Sequence, residues 1–518
     1  MTQNQHTAWF LGIDLGTGSC KSIIIDAQAH LLGFGACGYV KRENMGQLGE
    51  QAPEDLLLAM LRSVRAAVED AGVSPNTCQA ISIGGVYHSL IAIDKSGAPL
   101  TGVITWVGDQ ATKQAQAVRD AQYANELYQQ TGCPVHSLFP LYKLIWLREE
   151  QPHIFKQAVR FISAKEYILN RLTGEYMIDF GVAAGSALLN THTLEWNIPS
   201  LELAGIRASQ LSPLVDPRQI LKGLNPELAA QMGLPKDTPL VLGSADAVNS
   251  SLGAGAVRWG QATCMIGTSG AFRIIAPHAM LDKQARSYCY AIDQDHWLVG
   301  GAINNGGLAL TWLRDAFNQM LQSQMKDARI SFDDLVASAL KIPPGADGLI
   351  CLPFFAGERS PYWNMNARGV FFGLTLSHDA RHMARALMEG VAYRLRSVRD
   401  ALDDLGAEVK EIRASGGFTR SDLWPQIVAS VLNHELAVPA SGETSSLGAA
   451  FWALLSSGVV ERFEDLHSLV PLDKTYQPNS QESLFYDSLY RIYMDLYFRL
   501  GESFEQISAC LVSHQEAK

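Results

Sequence analysis

The residues best suited to bind a ligand lie in a glycine-rich turn near the start of the chain. Residues 10–26, FLGIDLGTGSCKSIIID, place an apolar run on each side of this turn, a pattern that predicts a β-hairpin. Backbone N–H groups in a turn of small residues can form a nest for phosphate, and the charge of Lys21 would add to the attraction. The turn residues are Gly16, Thr17, Gly18 and Ser19. The pattern fits a phosphate site, and an ordinary hairpin with a flexible turn is the alternative.

Asp14 ends the first strand of this hairpin, directly before the turn. Mg²⁺ prefers oxygen ligands and keeps several of its water molecules. The carboxylate of Asp14 could therefore hold Mg²⁺ through water beside a bound phosphate.

A second hairpin of the same kind occurs about 250 residues later. Residues 262–275 place two apolar runs around another turn of small residues. Two α/β units that each contribute such a turn could hold a polyphosphate between two domains. The alternative is that similar turns arise by chance in a chain with 44 glycines. The second turn begins with Gly267, Thr268 and Ser269.

Asp246 follows another apolar strand, PLVLGSAD at residues 239–246. A carboxylate within hydrogen-bond reach of an attacking hydroxyl can accept its proton. An aspartate between a strand and a helix is also a frequent helix N-cap. The residues alone leave both interpretations open.

The composition excludes some classes of partner. The chain has 518 residues, of which 18% are charged, and a net charge of −11. An acidic surface disfavours nucleic acid and anionic membranes, so neither is expected as a partner.

The eight cysteines form no C-x-x-C pair, which fits a reducing cytoplasm better than a zinc or disulfide framework. Residues 1–8 lack a signal-peptide pattern, and no apolar run reaches the ~18 residues of a membrane span.

The elements that must position these residues alternate between strands and amphipathic helices. Residues 53–72 begin with a proline and two acids and end with a glycine, which are helix start and stop signals. Residues 380–404 predict a long helix with an apolar stripe, and the tail from about 480 also predicts a helix. Strands interleaved with such helices indicate an α/β fold with helices on both faces of its sheets.

Several motifs resemble the FGGY carbohydrate kinases over nearly the whole length of the chain. YKLIWLREE at 142–150 resembles the first signature of that family, and GVFFGLTLSHDARHMARALME at 369–389 resembles the second. Within the family, stretches such as MIGTSGAFR and GGAINNGGLALTWLRD look most like gluconokinases.

The resemblance implies two ribonuclease-H-like domains of the actin-like ATPase type around an interdomain cleft. The first, residues 1–250, would carry the sugar side and the first phosphate hairpin. The second, residues 251–518, would carry the nucleotide side and a helical tail from about 480. The implied enzyme phosphorylates a hydroxyl of a small open-chain sugar or sugar acid with ATP and Mg²⁺.

Gluconate is the first candidate acceptor, and xylulose or another ketose or polyol is the alternative. A non-catalytic nucleotide- or sugar-sensing protein and a filament-forming ATPase on the same scaffold are less favoured. The sequence leaves the oligomeric state open, with a homodimer as one option.

The resemblance also assigns roles to residues of this chain. Asp246 matches the catalytic base, which also contacts the acceptor, and Asp14 would hold hydrated Mg²⁺. The phosphate and nucleotide contacts would be Thr17, Gly18, Ser19, Lys21, Gly267, Thr268, Ser269, Gly307, Thr311, Gly416, Gly417 and Ser421. For Thr311 and Ser421, a hydroxyl on a helix surface is the alternative. The glycine pair at 306–307 is expected to leave N–H groups free at a helix start.

The acceptor side would include Tyr87, His88, Trp106 and Asp109. His88 could equally be a histidine satisfied by the core, and Trp106 an ordinary core residue. The family usually shows W-x-D-x-R, whereas residues 106–110 of this chain read WVGDQ. Either Asp109 substitutes from one position later, or the usual acid and arginine are both missing. Two lysines, Lys143 and Lys165, could partner an acidic acceptor or be solvated.

Overall fold

The computed structural model describes residues 8–40, 50–324 and 329–516, and the chain divides into two units. The first unit comprises Met1–Trp259, Ile275–Val299 and Glu443–Pro471. The second comprises Gly260–Ile274, Gly300–Gly442 and Leu472–Lys518. The first unit thus receives two later stretches of chain in addition to its N-terminal one. The segment predicted to lack a signal peptide lies almost entirely outside the described residues.

The first unit contains most of the short elements. Its helices are α1 (Pro53–Ala71), α2 (Thr112–Arg119), α3 (Ala124–Thr131), α4 (Pro140–Glu150), α5 (Pro152–Gln157), α6 (Ala164–Thr173), α7 (Phe180–Ala184), α8 (Ile198–Ala204), α9 (Pro226–Met232), α10 (Asp246–Gly253) and α15 (Thr444–Ser456). Its strands are β1 (Trp9–Leu15), β2 (Ser19–Ile25), β3 (Leu31–Gly38), β4 (Glu50–Gln51), β5 (Cys78–Gly85), β6 (Ile91–Ile93), β7 (Val103–Ile104), β8 (Arg160–Ile162), β9 (Ile178–Asp179), β10 (Leu214–Val215), β11 (Ile220–Leu221), β12 (Leu240–Val241) and β15 (Tyr288–Ala291).

The second unit contains fewer and longer helices. They are α11 (Gly307–Gln324), α12 (Phe332–Ala339), α13 (Ala380–Asp403), α14 (Leu423–Leu432) and α16 (Ser480–Glu516). The strands that lie wholly or mostly in this unit are β13 (Gln261–Ile266), β14 (Gly270–Ala276), β16 (Trp297–Ile303), β17 (Ile350–Leu352), β18 (Val370–Phe372), β19 (Glu411–Ser415), β20 (Leu436–Pro439) and β21 (Leu472–Tyr476).

The main sheets of the two units follow the same order of strands. In the first unit the order is β3–β2–β1–β5–β12–β11, with an antiparallel pair β1–β2 and parallel neighbours β1, β5 and β12. In the second unit the order is β16–β14–β13–β19–β20–β21, with an antiparallel pair β13–β14 and parallel neighbours β13, β19 and β20. The two units therefore share one topology, as the predicted duplication requires.

The predicted elements near the site are confirmed. The hairpin at residues 10–26 is formed by β1 and β2. Helix α1 begins at Pro53 and ends before Gly72, whose φ of 59° is the left-handed conformation that glycine adopts without a steric penalty. Helices α13 and α16 coincide with the predicted long helix and helical tail. Among the described residues, no helix combines the length and apolar character that crossing a membrane requires.

Helix α10 packs unusually closely on α15, because two glycines lie at their contact. A Cβ on Gly448 would stand 1.8 Å from the backbone oxygen of Asn249, and one on Gly253 would stand 1.9 Å from that of Thr444. The indole N–H of Trp452 donates a 2.8 Å hydrogen bond to Oδ1 of Asn249 across the same contact. Since α10 begins at Asp246, this packing also fixes the position of the candidate base.

We expect Gly448→Ala to destabilise the first unit, because the added methyl group would overlap a backbone atom that cannot rotate away. Overpacking of this kind typically costs about 1–3 kcal/mol. Thermal melting should show the loss as a lower Tm. Gly501→Ala is a matched control, since a Cβ at Gly501 of α16 meets no atom within 4 Å. Equal melting temperatures for both variants would contradict the close packing.

Candidate functional site

The candidate residues of the first unit meet at one edge of its sheet. In the register of the sheet, the backbone of Asp14 lies opposite that of Lys21 on β2 and that of Gly84 on β5. The strand that leads to Asp246 also runs parallel to β5, and Gly85 forms a bridge with Ala245. Because β1, β5 and β12 are parallel, their carboxyl ends lie at the same edge, where α/β proteins commonly bind ligands.

The first glycine-rich turn is held at its base and open at its tip. The N–H of Gly16 donates to the carbonyl of Ser19 over 3.1 Å. The amide Nε2 of Gln51 donates to the carbonyl of Thr17 over 2.7 Å, and the indole N–H of Trp106 donates to its hydroxyl over 3.1 Å. Thr17 and Gly18 are exposed. The turn therefore offers donors to solvent from a fixed backbone, as a phosphate nest requires.

Asp14 is under electrostatic strain at this edge. Its Oδ1 is buried and has no hydrogen-bond partner in the described part of the chain. Burial, followed by the nearby carboxylate of Asp246, raises the pKa of Asp14 to about 7, with a smaller rise from Glu443 and a lowering by Lys21. An unpaired carboxylate oxygen of this kind is suited to a hydrated Mg²⁺ ion, which would supply the missing donor and the missing charge.

We expect Asp14→Asn to stabilise the protein at pH 8, by about 1–3 kcal/mol, because it removes the charge of a carboxylate whose Oδ1 is buried without a hydrogen-bond partner among the described residues. The folded pKa of about 7 lies above the 3.8 of an ordinary aspartate, so the folded state of the parent protein loses stability as pH rises from about 4 through 7. The gain in Tm should therefore shrink as pH falls toward 4. A gain that is independent of pH would contradict the raised pKa.

Lys21 is ion-paired, a contact that sequence reasoning missed. Its Nζ lies 2.7 Å from Oε2 of Glu443, and both side chains are more than one-third exposed. Glu443 directly precedes α15, so it reaches this edge through the late stretch of chain that joins the first unit. Exposed pairs contribute about 0–1 kcal/mol, so this one orients Lys21 more than it stabilises the fold.

Asp246 is the first residue of α10 and not its N-cap. The N-cap position belongs to Ala245, and the carboxylate Oδ1 of Asp246 accepts the N–H of Ala247 over 2.7 Å. The interpretation of Asp246 as an N-cap is therefore wrong. Because Asp14 lies opposite Gly84 and Gly85 forms a bridge with Ala245, Asp14 and Asp246 stand at neighbouring strand ends. In addition to burial, the carboxylate of Asp246 raises the pKa of Asp14.

The loop after β5 holds Tyr87 and His88 in a constrained conformation. His88 has a φ of 63°, which is uncommon for a residue other than glycine. Its Nδ1 donates to the carbonyl of Gly185 over 2.6 Å, because that oxygen can only accept. In the neutral ring, Nε2 is then an acceptor. The imidazole stacks on Tyr87 at 5.1 Å and meets Phe139 edge-on at 5.0 Å.

Trp106 and Asp109 differ in their surroundings. The half-buried Trp106 reaches the first turn through its bond to Thr17, so it lies beside the phosphate candidates. Asp109 is exposed, and its backbone carbonyl accepts the N–H and the hydroxyl of Thr112 just before α2. Both polar atoms of the Gln110 side chain are buried and have no hydrogen-bond partner among the described residues.

Neither Lys143 nor Lys165 is solvated, so that interpretation is wrong for both. Lys165 is 1% exposed and pairs with the equally buried Asp179 at 2.6 Å. Lys143 is fully buried, and its ammonium group donates to three backbone carbonyls. Burial lowers the pKa of Lys143 to about 7.

In the second unit, the second turn contacts the start of α11. The N–H of Gly307 donates to the carbonyl of Gly267 over 2.7 Å, and the N–H groups of Gly306 and Leu308 donate to that of Thr268. The expectation that Gly306 and Gly307 leave their N–H groups free for an anion is therefore wrong. These bonds fix the turn on the helix end instead. Thr268 remains exposed and Ser269 half-buried.

The loop after β19 approaches the same turn. Gly416 has a φ of 100°, and a Cβ there would stand 2.5 Å from the oxygen of Ile266. Gly417 beside it is exposed, and a Cβ there would meet no atom within 4 Å. Ser421 is half-buried just beyond the 3₁₀ turn Gly417–Arg420, and Thr311 is half-buried on α11.

A loop of residues 356–358, for which the sequence predicted no contact with the site, holds the segment before α11 through hydrogen bonds. Asn305 exchanges two hydrogen bonds with this loop, to the carbonyl of Gly357 at 2.9 Å and from the N–H of Ala356 at 3.1 Å. The carboxylate of Glu358 accepts the N–H of Asn304 and pairs with the buried Arg394. The second turn, α11 and this loop therefore form one hydrogen-bonded assembly.

Two models of a known protein family match this chain. The model of the FGGY family of carbohydrate kinases, N-terminal domain, matches residues 9–253, and that of its C-terminal domain matches residues 262–457. The chain belongs to the FGGY family of carbohydrate kinases. As a member it is an ATP-dependent sugar kinase, with ATP and a sugar as its substrates.

This FGGY kinase has relatives of more than one specificity. It is 36% identical to a gluconokinase of Bacillus licheniformis over 97% of this chain and 98% of that protein. It is 27% identical to a xylulose kinase of Bacillus subtilis (strain 168) over 94% of this chain and 96% of that protein. The crystal structure of gluconate kinase from Lactobacillus acidophilus matches with a TM-score of 0.89 at 31% identity, over 96% of this chain and 99% of that one. The predicted actin-like α/β fold is confirmed.

The structure of the FGGY kinase brings the predicted residues together in two groups. In the first unit, the phosphate turn and Lys21 lie at the sheet edge with Asp14 and Asp246, and Trp106 bonds to the turn. In the second unit, the turn at 267–269 lies against Gly307 and Gly416. Glu443 and Glu358 were missed, although a single acid before a small-residue helix and the acid of AGERSP were both visible.

Proposed function

We propose that this FGGY kinase transfers the terminal phosphoryl group of ATP to a hydroxyl of gluconate. The observation that carries this proposal is the higher identity to gluconokinases, 36% and 35%, than to a xylulose kinase, 27%, over almost the whole chain. A cytoplasmic location, expected from the unpaired spacing of the cysteines, is part of the proposal.

Asp246 is the general base of the proposed reaction. Its carboxylate takes the proton of the acceptor hydroxyl while that oxygen forms a bond to the terminal phosphorus and the bond to the leaving ADP breaks. Two features support this role, namely its position at the start of α10 and its place at the strand end next to that of Asp14. Phosphoryl transfer otherwise needs positioning and charge neutralisation more than covalent help from the protein.

The phosphates are bound by the glycine-rich turns in this proposal. In the first unit, Thr17, Gly18, Ser19 and Lys21 contact the terminal phosphate. In the second unit, Gly267, Thr268 and Ser269 contact the phosphates, while Gly307, Thr311, Gly416, Gly417 and Ser421 border the nucleotide. Asp14 holds hydrated Mg²⁺, which when bound neutralises charge on the phosphates. Support for this ion comes from the buried, unpartnered Oδ1 of Asp14.

The acceptor is bound by residues that follow β5 and β7. The tautomer of His88 presents Nε2 as an acceptor for a sugar hydroxyl, and Tyr87, Trp106 and Asp109 complete this side. A neutral ketose or polyol is the second candidate acceptor. It is favoured by Gly108 and Gln110, which stand where the family usually carries an acid and an arginine, so that this loop lacks the usual cation for a sugar carboxylate.

A coupled assay of ADP release over a panel of aldonates, ketoses and polyols tests this proposal. We expect gluconate to give the highest kcat/KM, and chelation of divalent cations to abolish the signal until Mg²⁺ is restored. A ketose or polyol at the top of the panel would favour the second candidate. ADP release that needs no acceptor would overturn the proposed transfer to a sugar.

A further inference from the structure

Lys143 lies on α4, in the signature motif YKLIWLREE, and the proposed chemistry does not use it. The side chain is fully buried, and its Nζ donates to the carbonyls of His88, Thr105 and Ile104. The last two contacts are 2.8 Å and 3.4 Å long. An ammonium group has three N–H donors and no acceptor, so three carbonyls match its hydrogen-bonding capacity.

The three carbonyls belong to two different segments of the candidate acceptor site. One segment is the loop that carries Tyr87 and His88, and the other leads from β7 into Trp106. Farther from the site, two backbone hydrogen bonds of 3.0 and 2.9 Å join Leu90 to Ile104. The hydrogen bonds of Lys143 add a tie, that is, a second connection between the two segments, close to His88 on one and to Trp106 on the other.

The conformation of His88 needs such a tie. A φ of 63° is strained for a residue with a Cβ, and such residues persist only where their surroundings hold them. Lys143 holds the carbonyl of His88, while the carbonyl of Gly185 holds its ring. The backbone and the imidazole of His88 are thus each fixed by a separate hydrogen bond.

A buried lysine would be energetically unfavourable at this position if packing were its only role. Burying an ammonium group carries a large desolvation cost, and well-packed apolar residues of similar volume are often as stable or more so. Burial is the cause that lowers the pKa of Lys143, and no carboxylate among the described residues offsets it. The cost is explained if the charge fixes carbonyls whose positions matter for the reaction.

We propose that Lys143 is a positioning residue of the acceptor site. Its ammonium group fixes the carbonyls of His88 and Thr105, and so sets the spacing between the His88 imidazole and the Trp106 indole. Because Trp106 also bonds to Thr17, the same tie places the acceptor residues relative to the phosphate turn. The inference rests on the proposed function only in that His88 and Trp106 bind the acceptor.

Steady-state kinetics of two variants test the inference. Lys143→Met removes all three donors, and Lys143→Gln keeps two donors without the charge. We expect the acceptor KM to rise about tenfold or more in Lys143→Met and less in Lys143→Gln, because hydrogen bonds to charged groups are the stronger ones. The KM for ATP should stay within about twofold, and Lys156→Met on the exposed face of α5 serves as the matched control.

A purely structural role would give a different pattern. It would lower Tm and the active fraction, and hence kcat, while the acceptor KM stayed at the parent value. That result would overturn the inference. If the panel reveals another acceptor than gluconate, the same comparison is made with that compound.

Hydrogen–deuterium exchange provides a readout that does not depend on activity. We expect amides in residues 84–90 and 101–107 to exchange faster in Lys143→Met than in the parent protein, with the segment of β19 and α14 unchanged. Unchanged exchange at 84–90 and 101–107 would overturn the inference even if the protein phosphorylated no sugar. If Lys143→Met exchanges faster but the parent protein shows no kinase activity, only the proposed function is rejected and the positioning role of Lys143 stands.

Discussion

Asp246→Asn is expected to bind ATP normally and to lose about 10²–10⁴ in kcat, the usual contribution of a positioned general base. The amide preserves the shape of the side chain and can still accept the N–H of Ala247, so α10 should begin as in the parent protein. It cannot take a proton from the acceptor hydroxyl. The measurement is kcat in the coupled ADP assay, with nucleotide affinity from titration calorimetry.

Asp237→Asn is the matched control, because Asp237 is an exposed aspartate shortly before β12. It should leave kcat unchanged. Near-normal turnover of Asp246→Asn would reject the assignment of the base. Loss of ATP binding together with turnover would instead show that Asp246 supports the fold or the nucleotide.

Lys165→Met is expected to cause the largest loss of stability, about 3–5 kcal/mol, because it leaves the buried carboxylate of Asp179 without its cation. The Nζ of Lys165 lies 2.6 Å from Oδ2 of Asp179 and 2.9 Å from the carbonyl of Gly243, and neither charged side chain is more than 1% exposed. Thermal melting should show a fall in Tm of roughly 5 °C.

Adding Asp179→Asn to Lys165→Met should restore most of the lost stability. The double variant buries no charge at this position, and the amide oxygen can still accept the N–H of Val182 that caps α7. As an exposed comparison, Arg65→Met breaks a surface pair with Glu69 and should cost less than about 1 kcal/mol. Equal losses for Lys165→Met and Arg65→Met would contradict the importance of the buried pair.

Local features of the sequence predicted the fold well, because hairpins and amphipathic helices follow from neighbouring residues. The first hairpin, α1 and α13 were all visible from apolar periodicity and from turn or end signals. The repeated glycine-rich turn predicted the duplication that the shared strand order of the two sheets displays.

Contacts between distant parts of the chain could not be predicted in this way. Glu443 pairs with Lys21 across 422 positions, and no local spacing signals such a pair. Lysine is usually found at the surface, and only the structure reveals that Lys165 is paired with the buried Asp179. The N–H groups of Gly306 and Gly307 were expected to be free because their partners lie in the earlier turn, 38 residues away for Gly306 (306 − 268) and 40 for Gly307 (307 − 267).

The late arrival of α15 has a consequence for biosynthesis. Helix α10, which starts at the proposed base, leaves the ribosome about 190 residues before the helix that covers its glycine face, since 444 − 253 = 191. A nascent chain therefore carries that face uncovered while the whole middle of the polypeptide is translated. Completion of the first unit must therefore wait until α15 is translated, and termination before Glu443 would leave α10 without the helix that packs on it.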